Sequence, residues 1–359
     1  MTITTLGLPR VPRRLVGRAA QPPSTGTLVD SYGRHATDLR VSLTDRCNLR
    51  CTYCMPAEGL PWSAADQLLH ADETIRLVRI AVARLGVTKV RFTGGEPLLA
   101  KHLDEIIAAT AALRPRPELA LTTNGVLLAD RAEALARAGL DRVNVSLDSV
   151  DQRHFAAITR RDRLADVLAG LAAAHGAGLQ PVKVNAVLDP LTGLEDAVSL
   201  VRFCLGHDYQ LRIIEQMPLD AGHQWRREAA VTADPVLAQL RSHSFALEPD
   251  RAPRGSAAAE LWTITDPATG RTGKVGIIAS VSHPFCSTCN RVRLTADGQL
   301  RSCLFANEET DLRGLLRSGA DDAAIEAACR TAMWGKPAGH GINDPNFVQP
   351  ARPMSAIGG

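Results

Sequence analysis

The chain has 359 residues, 45% of them apolar and 22% charged, and its formal net charge is +3. This length allows one large α/β barrel with an extra domain, or two ordinary domains. The small net charge and the lack of any run of ~18 apolar residues give no reason to expect a nucleic-acid or membrane partner.

The N-terminal segment, residues 1–27, is predicted to be a disordered extension. It contains four arginines and four prolines but no acidic residue. An arginine-rich, acid-poor start is also typical of a transit peptide, which stays the alternative. The segment is poor in serine, however, and its prolines interrupt the amphipathic helix that such a peptide needs.

Residues 28–218 alternate between β-rich and helical patterns and are predicted to form an α/β partial barrel. The six predicted strands are 39–43, 89–93, 119–123, 142–147, 181–187 and 210–215. The five predicted helices between them are 73–85, 103–113, 131–138, 164–174 and 195–205. This regular alternation favours an open (β/α)6 barrel of the TIM type over a flat doubly wound sheet. In such barrels the active site forms at the C-terminal ends of the strands.

The alternation ends near residue 218, and residues 219–340 are predicted to form a C-terminal α+β domain. Its predicted elements are two strands, an Asp-Gly hairpin turn and two helices, at 262–264, 274–278, 297–298, 312–317 and 323–333. Residues 341–359 are predicted to be a tail ending in Gly358-Gly359.

A first cysteine triplet, Cys47, Cys51 and Cys54, follows the first predicted strand with the spacing C-x3-C-x2-C. A structural zinc site normally closes with four ligands, and the nearest further candidate is the distant His70. A redox pair of Cys51 and Cys54 would leave Cys47 unexplained. A [4Fe-4S] cluster bound by three cysteines keeps one iron open, so the spacing favours such a cluster.

A second triplet, Cys286, Cys289 and Cys303, has the spacing C-x2-C-x13-C and again lacks an obvious fourth ligand. A zinc ribbon would need Cys329 or a histidine, and Cys329 lies in a predicted helix among alanines. A second [4Fe-4S] cluster is therefore favoured, with zinc as the alternative. Two tight triplets without a secretory signal argue against disulfides and favour a reducing compartment, here a bacterial cytoplasm.

A glycine-rich turn, Gly94-Gly95-Glu96-Pro97, follows the second predicted strand. Two glycines let the backbone bend sharply and approach a ligand closely. Glu96 can offer its carboxylate to an amine or a hydroxyl. Taken alone, the motif is also compatible with an ordinary βα turn.

Five basic residues are predicted to form one cationic set. Lys183 alternates with two valines and is expected to point into the barrel, which is costly unless it meets an anion. Arg291 and Arg293 share one strand face, a spacing that suits phosphate binding, although a solvated strand face is the alternative. With Arg40 and Arg91 in the first two strands, the set carries enough charge for a triphosphate.

The first triplet and the glycine-rich turn together resemble the radical S-adenosylmethionine enzymes. The resemblance implies that S-adenosylmethionine chelates the open iron and is cleaved to a 5′-deoxyadenosyl radical. It also implies that Tyr53, Gly95, Ser146 and Met217 contact this cofactor.

With the second triplet and the basic residues, the chain resembles the GTP 3′,8-cyclase family from about residue 27 to residue 359. The implied GTP-binding residues are Arg40, Arg91, Thr122, Lys183, Arg291 and Arg293. The resemblance further implies that guanine meets the open iron of the second cluster and that the tail, Gly358-Gly359, enters the active site. The implied reaction of this lyase makes (8S)-3′,8-cyclo-7,8-dihydroguanosine 5′-triphosphate from GTP, the first step of molybdenum cofactor (molybdopterin) biosynthesis.

The implied partners are GTP, S-adenosylmethionine, an external electron donor and a downstream cyclic pyranopterin monophosphate synthase, and a homodimer is considered. Two alternatives stay open. One is another two-cluster radical enzyme, such as a peptide maturase, which usually has more C-terminal cysteines. The other is a zinc-binding module without enzymatic activity.

Overall fold

The structure, a computed structural model, describes residues 21–358. Most of the extension predicted for residues 1–27 lies outside the described residues, and the transit-peptide alternative falls there too. The part that is described, residues 21–27, contains no helix or strand.

Six parallel strands form the centre of the molecule. They are β1 (Asp38–Ser42), β2 (Lys89–Thr93), β3 (Glu118–Thr123), β4 (Arg142–Ser146), β5 (Lys183–Val187) and β6 (Gln210–Ile214). Each strand pairs in parallel with the next one along the chain. A doubly wound sheet reverses its strand order at a switch point. Because β1 to β6 do not, the predicted barrel-type α/β fold is confirmed.

Six helices connect these strands. They are α1 (Ala71–Leu85), α2 (Leu103–Ala111), α3 (Ala132–Ala138), α4 (Gln152–Thr159), α5 (Leu164–Gly176) and α6 (Gly193–His207). Of these, α4 was not predicted. The Asp151 carboxylate caps it by accepting hydrogen bonds from the backbone N–H groups of Arg153 and His154. Arg160 ends it with a left-handed φ of 55°, so that α5 begins as a separate helix.

The C-terminal part extends the same sheet on both sides. Its strands are β7 (Ala246–Pro249), β8 (Glu260–Thr265), β9 (Thr272–Ile278), β10 (Arg291–Leu294), β11 (Gln299–Arg301) and β12 (Thr310–Asp311). β9 pairs in parallel with β6, and β10 pairs in parallel with β1. In the described part of the chain, β12 and β7 are the two ends of this twelve-stranded sheet, so the barrel is partial. The division of the chain near residue 218 stays a prediction.

The described C-terminal part contains four helices. They are α7 (Ala233–Ser242), α8 (Leu312–Arg317), α9 (Asp322–Trp334) and α10 (Met354–Ile357). Ion pairs connect two of these helices, α8 and α9, to α1 of the barrel. Arg76 and Arg79 of α1 both pair with Asp322 of α9 at 3.0 Å. Within residues 21–358, no helix has the length and apolar character that a membrane crossing requires.

Candidate active site

The two cysteine triplets lie at opposite ends of the barrel. Cys47, Cys51 and Cys54 follow the C-terminal end of β1. In contrast, Cys286 and Cys289 come directly before β10, whose first residue pairs with the first residue of β1. Because these two strands are parallel, the second triplet lies at the N-terminal edge of the sheet. The barrel interior therefore runs from one triplet to the other.

The loop of the first triplet is held from two sides. Asn124, in the turn after β3, places its side-chain amide 3.8 Å from the Cys47 thiol. The Arg160 guanidinium donates to the backbone carbonyls of Arg50 and Met55, each at 2.9 Å. The loop is thus fixed on both the β3 side and the α4 side.

The thiols of the first triplet suit a metal cluster. Burial raises the pKa of Cys47 and Cys51, and it raises the pKa of Cys54 to about 12. Thiols of this kind ionise when a metal centre binds them. Among the described residues, no group of three or more His, Cys, Asp and Glu side chains is arranged to hold a single metal ion.

The glycine-rich turn packs directly against the first cysteine loop. The Gly95 N–H donates to the Thr44 carbonyl at 2.7 Å, and a Cβ on Gly95 would lie 2.5 Å from the Asp45 carbonyl oxygen. Only glycine fits this approach. The turn after β2 therefore lies beside the first triplet, as the sequence predicted.

Glu96, in the same turn, has a structural role that the sequence did not predict. Its side chain is fully buried and accepts hydrogen bonds from the Thr123 hydroxyl and from the backbone N–H groups of Asn124 and Leu98. Burial raises the pKa of Glu96 to about 7. The carboxylate therefore joins the turns after β2 and β3.

Tyr53 lies between the first triplet and a cavity of about 180 Å³. Its hydroxyl donates to the Asp148 carboxylate at 2.9 Å, and Asp148 also accepts from the Val187 N–H at 2.9 Å. Burial raises the pKa of Asp148 to about 6. Gln216 and Trp225 line the same cavity, and the Trp225 indole donates to the Gln216 carbonyl at 2.9 Å. The cavity opens at the C-terminal ends of β5 and β6.

The second triplet lies in a cationic environment. Burial opposes ionisation, but the Lys336 ammonium and the Arg291 guanidinium lower the pKa of Cys289 to about 7. Burial raises the pKa of Cys286 to about 11. Cys303, which follows β11, lies close enough to Cys286 for the charges of the two thiols to interact. As at the first triplet, three thiols suit a [4Fe-4S] cluster in which one iron has no cysteine ligand.

Basic side chains line the barrel interior between the triplets. Arg40 of β1 pairs in register with Arg91 of β2 on one side and with Arg293 of β10 on the other. Register partners on parallel strands point to the same face. Lys183 of β5 joins this interior group, because its charge interacts with that of Arg91. Arg291 lies two residues before Arg293 on the same face of β10.

Four interior cations have at least one nitrogen atom without a hydrogen-bond partner among the described residues, although the Asp38 carboxylate interacts electrostatically with Arg40 and Arg91. The buried Nε atoms of Arg40, Arg91 and Arg212 have no hydrogen-bond partner among the described residues. Lys183 forms no hydrogen bond or ion pair within residues 21–358 either. A buried donor that is left unpaired costs about 1–3 kcal/mol. A set of such donors with the same charge is suited to a strongly anionic ligand.

The interior charges also shift one another's ionisation. Burial and repulsion from Arg40 lower the pKa of Arg91 well below its usual range. Burial, together with Arg212, Arg142 and Arg91, lowers the pKa of Lys183 to about 6. For Arg212, burial and repulsion from Arg142 lower the pKa to about 10. Burial and mutual repulsion therefore oppose simultaneous protonation of these side chains.

The remaining residues predicted to contact GTP or S-adenosylmethionine lie either in the barrel interior or at the C-terminal edge of the strands. Thr122 of β3 accepts a hydrogen bond from the Asn144 amide at 3.3 Å, facing the interior. Ser146 ends β4, and Met217 follows β6, so both lie at the C-terminal edge near the first triplet. Of the four residues predicted to contact S-adenosylmethionine, Tyr53 alone lines the 180 Å³ cavity within the described residues.

The C-terminal tail returns to the barrel. The Gly358 carbonyl accepts a hydrogen bond from the buried Arg293 guanidinium. A Cβ on Gly358 would lie 2.9 Å from the Ser42 side chain at the end of β1, and the φ of Gly358 is 92°. Ser355, in α10, is buried and faces the Cys54 thiol. The predicted position of Gly359 lies outside the described residues.

Two interior arginines were missed by the sequence reading. Arg142 begins β4 and Arg212 is the central residue of β6, and the charges of both act on Lys183. Arg142 also pairs with Glu118 at 2.5 Å. Both arginines alternate with apolar residues as Lys183 does, so a strict period-two reading of all six strands could have found them.

Two family models match the chain. The Radical SAM superfamily model matches residues 41–204, and the Molybdenum Cofactor Synthesis C model matches residues 209–342. GTP 3′,8-cyclase 2 of Mycobacterium tuberculosis (strain ATCC 25618 / H37Rv) is 71% identical over 362 residues. GTP 3′,8-cyclase of Mycolicibacterium smegmatis (strain ATCC 700084 / mc(2)155) is 69% identical over 362 residues. Both alignments cover 100% of this chain and 100% of the relative.

Solved structures share the fold at low sequence identity. Streptococcus suis SuiB superposes with a TM-score of 0.56 and 16% identity, covering 86% of this chain and 68% of SuiB. Native anSMEcpe with bound AdoMet superposes with a TM-score of 0.53 and 12% identity, covering 80% of this chain and 82% of that protein.

The barrel, the first triplet and these matches define the chain as a radical S-adenosylmethionine enzyme, as the sequence predicted. Within that superfamily it belongs to the GTP 3′,8-cyclase family. Enzymes of this type use S-adenosylmethionine and iron–sulfur clusters. The zinc-module alternative is therefore wrong, and the likeness to other radical enzymes such as SuiB extends to the fold alone.

Proposed function

We propose that the chain converts GTP into (8S)-3′,8-cyclo-7,8-dihydroguanosine 5′-triphosphate, the first step of molybdenum cofactor biosynthesis. One observation carries this proposal: buried, unpartnered cations lie between two thiol triplets at opposite ends of one barrel. A triphosphate carries the negative charge that would neutralise these cations. Its nucleoside can extend along the interior from one triplet towards the other.

The first triplet is proposed to hold the [4Fe-4S] cluster to which S-adenosylmethionine binds. When bound, these two groups supply a 5′-deoxyadenosyl radical. Tyr53, Gly95, Ser146 and Met217 are proposed to hold S-adenosylmethionine, since all four lie at or beyond the C-terminal ends of the strands. Asp148 fixes the Tyr53 ring through their hydrogen bond.

The triphosphate is proposed to lie among the interior cations. The predicted GTP-binding residues are Arg40, Arg91, Thr122, Lys183, Arg291 and Arg293. Phosphate oxygens would accept hydrogen bonds from the Nε atoms of Arg40 and Arg91, which have no other acceptor among the described residues. Arg212 is added to the set because its buried Nε is likewise unpartnered.

The second triplet is proposed to hold the second [4Fe-4S] cluster at the guanine end of the site. With the phosphates held by the cations and the base held at the second triplet, the ribose is fixed between them. C3′ can then be presented towards the first triplet. Fixing reacting atoms in this way accounts for much of the rate in such reactions.

The C-terminal tail is proposed to shield the reacting ribose from water. Gly358 closes against the end of β1, and Arg293 bonds to its carbonyl. Arg293 can therefore link the tail to a bound triphosphate. Exclusion of water protects a reactive species from side reactions.

Further partners are proposed on chemical grounds. The reaction needs an external electron donor, and a cyclic pyranopterin monophosphate synthase would take the product. The six clustered thiols need reducing conditions, which supports action in the cytoplasm. A homodimer is proposed without a specific interface.

The proposal is tested by anaerobic incubation of the reconstituted chain with GTP, S-adenosylmethionine and dithionite. We expect 5′-deoxyadenosine and a cyclised nucleotide to form together, and only when GTP is present. Equal amounts of 5′-deoxyadenosine with and without GTP, and no cyclised nucleotide, would contradict the substrate assignment.

A further inference from the structure

Lys336 is a buried lysine beside the second triplet. It follows α9, and 2% of its surface is exposed. Its ammonium donates to the Arg291 carbonyl at 2.7 Å and lies 3.4 Å from the Cys289 carbonyl oxygen and 3.5 Å from the Cys289 sulfur. No carboxylate within residues 21–358 pairs with it. Its nearest anionic partner is therefore the Cys289 thiolate.

Lys336 begins a segment, residues 336–340, that lies across the second triplet. Gly339 packs against Cys286, since a Cβ on this glycine would lie 3.9 Å from the Cys286 Cβ. The buried Arg34 donates to two carbonyls of the segment, at 2.6 and 2.9 Å, and to the Cys286 carbonyl at 2.8 Å. Arg34 is itself paired with Asp30 at 2.5 Å. The segment is thus fixed relative to the cysteines.

A buried ammonium without a counter-charge is costly. A cluster held by three thiolates carries a net negative charge, which becomes larger on reduction. A cationic donor at a ligand sulfur therefore favours the reduced state and raises the reduction potential. Lys336 has the charge, the burial and the distance to Cys289 for this effect.

We propose that Lys336 is a positioning residue that holds the second cluster through Cys289 and raises its reduction potential. This inference rests on the proposed function, in which the second triplet binds a cluster. It adds a residue outside the cysteine and nucleotide contacts to the machinery of the site. It also gives a reason for a lysine in a buried position that has no carboxylate partner.

The test compares the full-length chain with K336M, K336R and a control, K274M, after anaerobic reconstitution. Lys274 lies on β9, which the six strands β1 to β6 separate from β10 in the order of the sheet. It pairs with Asp250 at 2.9 Å. Each protein is also made with the first triplet changed to alanine, so that only the second cluster remains. Iron content and an EPR-monitored redox titration of that cluster are measured.

We expect about eight irons per chain in the wild type and about four in the background that lacks the first triplet. K336M should lower the midpoint potential of the second cluster, K336R should restore most of it, and K274M should leave it unchanged. Should K336M lose the second cluster altogether, its retention by K336R would still support the need for a cation.

Two results overturn the inference, and a third overturns the proposed function instead. An unchanged potential in K336M with full iron content would show that Lys336 does not act on the cluster. Loss of the cluster in both K336M and K336R would show a purely structural role. A wild-type chain with about four irons would contradict the second cluster itself.

Discussion

Arg40 and Arg91 lie directly opposite each other on the neighbouring parallel strands β1 and β2, and the Nε atoms of both are buried without an acceptor in the described part of the chain. Two like charges in this position repel and are poorly solvated. The Asp38 carboxylate offsets only part of this cost in the GTP-free protein, because burial and repulsion from Arg40 still lower the pKa of Arg91. The two guanidiniums are therefore suited to binding an anionic ligand.

Replacing Arg91 by methionine should weaken GTP binding and stabilise the empty protein at the same time. A charge-assisted hydrogen bond contributes about 1.5–3 kcal/mol, so we expect GTP affinity to fall about 10- to 100-fold. The melting temperature without GTP should rise, because R91M removes a buried repulsion. Calorimetry and thermal melts measure both effects.

The control is R84M, since Arg84 forms a partly exposed pair with Glu326 on the outside of the barrel. It should change neither quantity appreciably. If R91M destabilised the empty protein and left GTP affinity intact, Arg91 would be a structural residue.

GTP binding should be linked to proton uptake at Lys183. Burial together with Arg212, Arg142 and Arg91 lowers the pKa of Lys183 to about 6. A triphosphate beside it favours the charged form and raises this pKa. At pH 8 the bound complex should therefore take up a proton, and K183M should not. Titration calorimetry in two buffers of different ionisation enthalpy measures the uptake.

The same shift gives the pH dependence of stability. Because the pKa of Lys183 is below its usual 10.5, the folded protein binds fewer protons than the unfolded chain between about pH 6 and 10.5. The stability of the GTP-free protein should therefore rise with pH across this window. K183M should flatten that slope, and an unchanged slope would contradict the assignment.

Replacing Gly95 by alanine should remove the first cluster. The added Cβ would collide with the backbone carbonyls of Arg46 and Asp45 in the cysteine loop, and it would lie 2.5 Å from the Asp45 oxygen. We expect iron content to fall by about four per chain. G206A is the control, because Gly206 lies in α6 with no atom within 4 Å of an added Cβ. It should keep its iron and fold at least as stably as the wild type.

Replacing Gly358 by alanine should disturb the tail without disturbing the clusters. A φ of 92° is unfavourable for alanine, and its Cβ would lie 2.9 Å from the Ser42 side chain. We expect less cyclised nucleotide at unchanged iron content. G319A is the control for backbone strain alone. Gly319 has a φ of 83°, and no atom lies within 4 Å of an added Cβ. Equal loss of product in both variants would exclude a specific role for the tail.

Much of this site could be predicted from local sequence patterns. The six barrel strands were found because short β-rich runs alternate regularly with helical patterns along this part of the chain. The two triplets were found because cluster ligands share a loop and keep a fixed spacing. Lys183 was found because a lysine between two valines in a strand must point away from the outer helical layer.

The long-range arrangement could not be predicted in the same way. Nothing local to residues 291–294 indicates that β10 pairs with β1, more than 200 residues earlier, and this pairing sets the two triplets at opposite ends. Glu96 and Lys336 could not be interpreted from the sequence because their partners are distant in it. Glu96 accepts a hydrogen bond from Thr123, and Lys336 donates one to the Arg291 carbonyl. Arg142 and Arg212, by contrast, alternate with apolar residues in their strands and could have been predicted from the sequence.

The most direct test of the central claim uses GTP and guanosine labelled with deuterium at C3′. Each is incubated anaerobically with the reconstituted chain, S-adenosylmethionine and dithionite, and deuterium in 5′-deoxyadenosine is measured. We predict transfer from labelled GTP and at least ~100-fold less from labelled guanosine, which lacks the triphosphate that the interior cations bind. Equal transfer from both compounds, or none from GTP, would contradict a barrel interior built to hold GTP between two clusters.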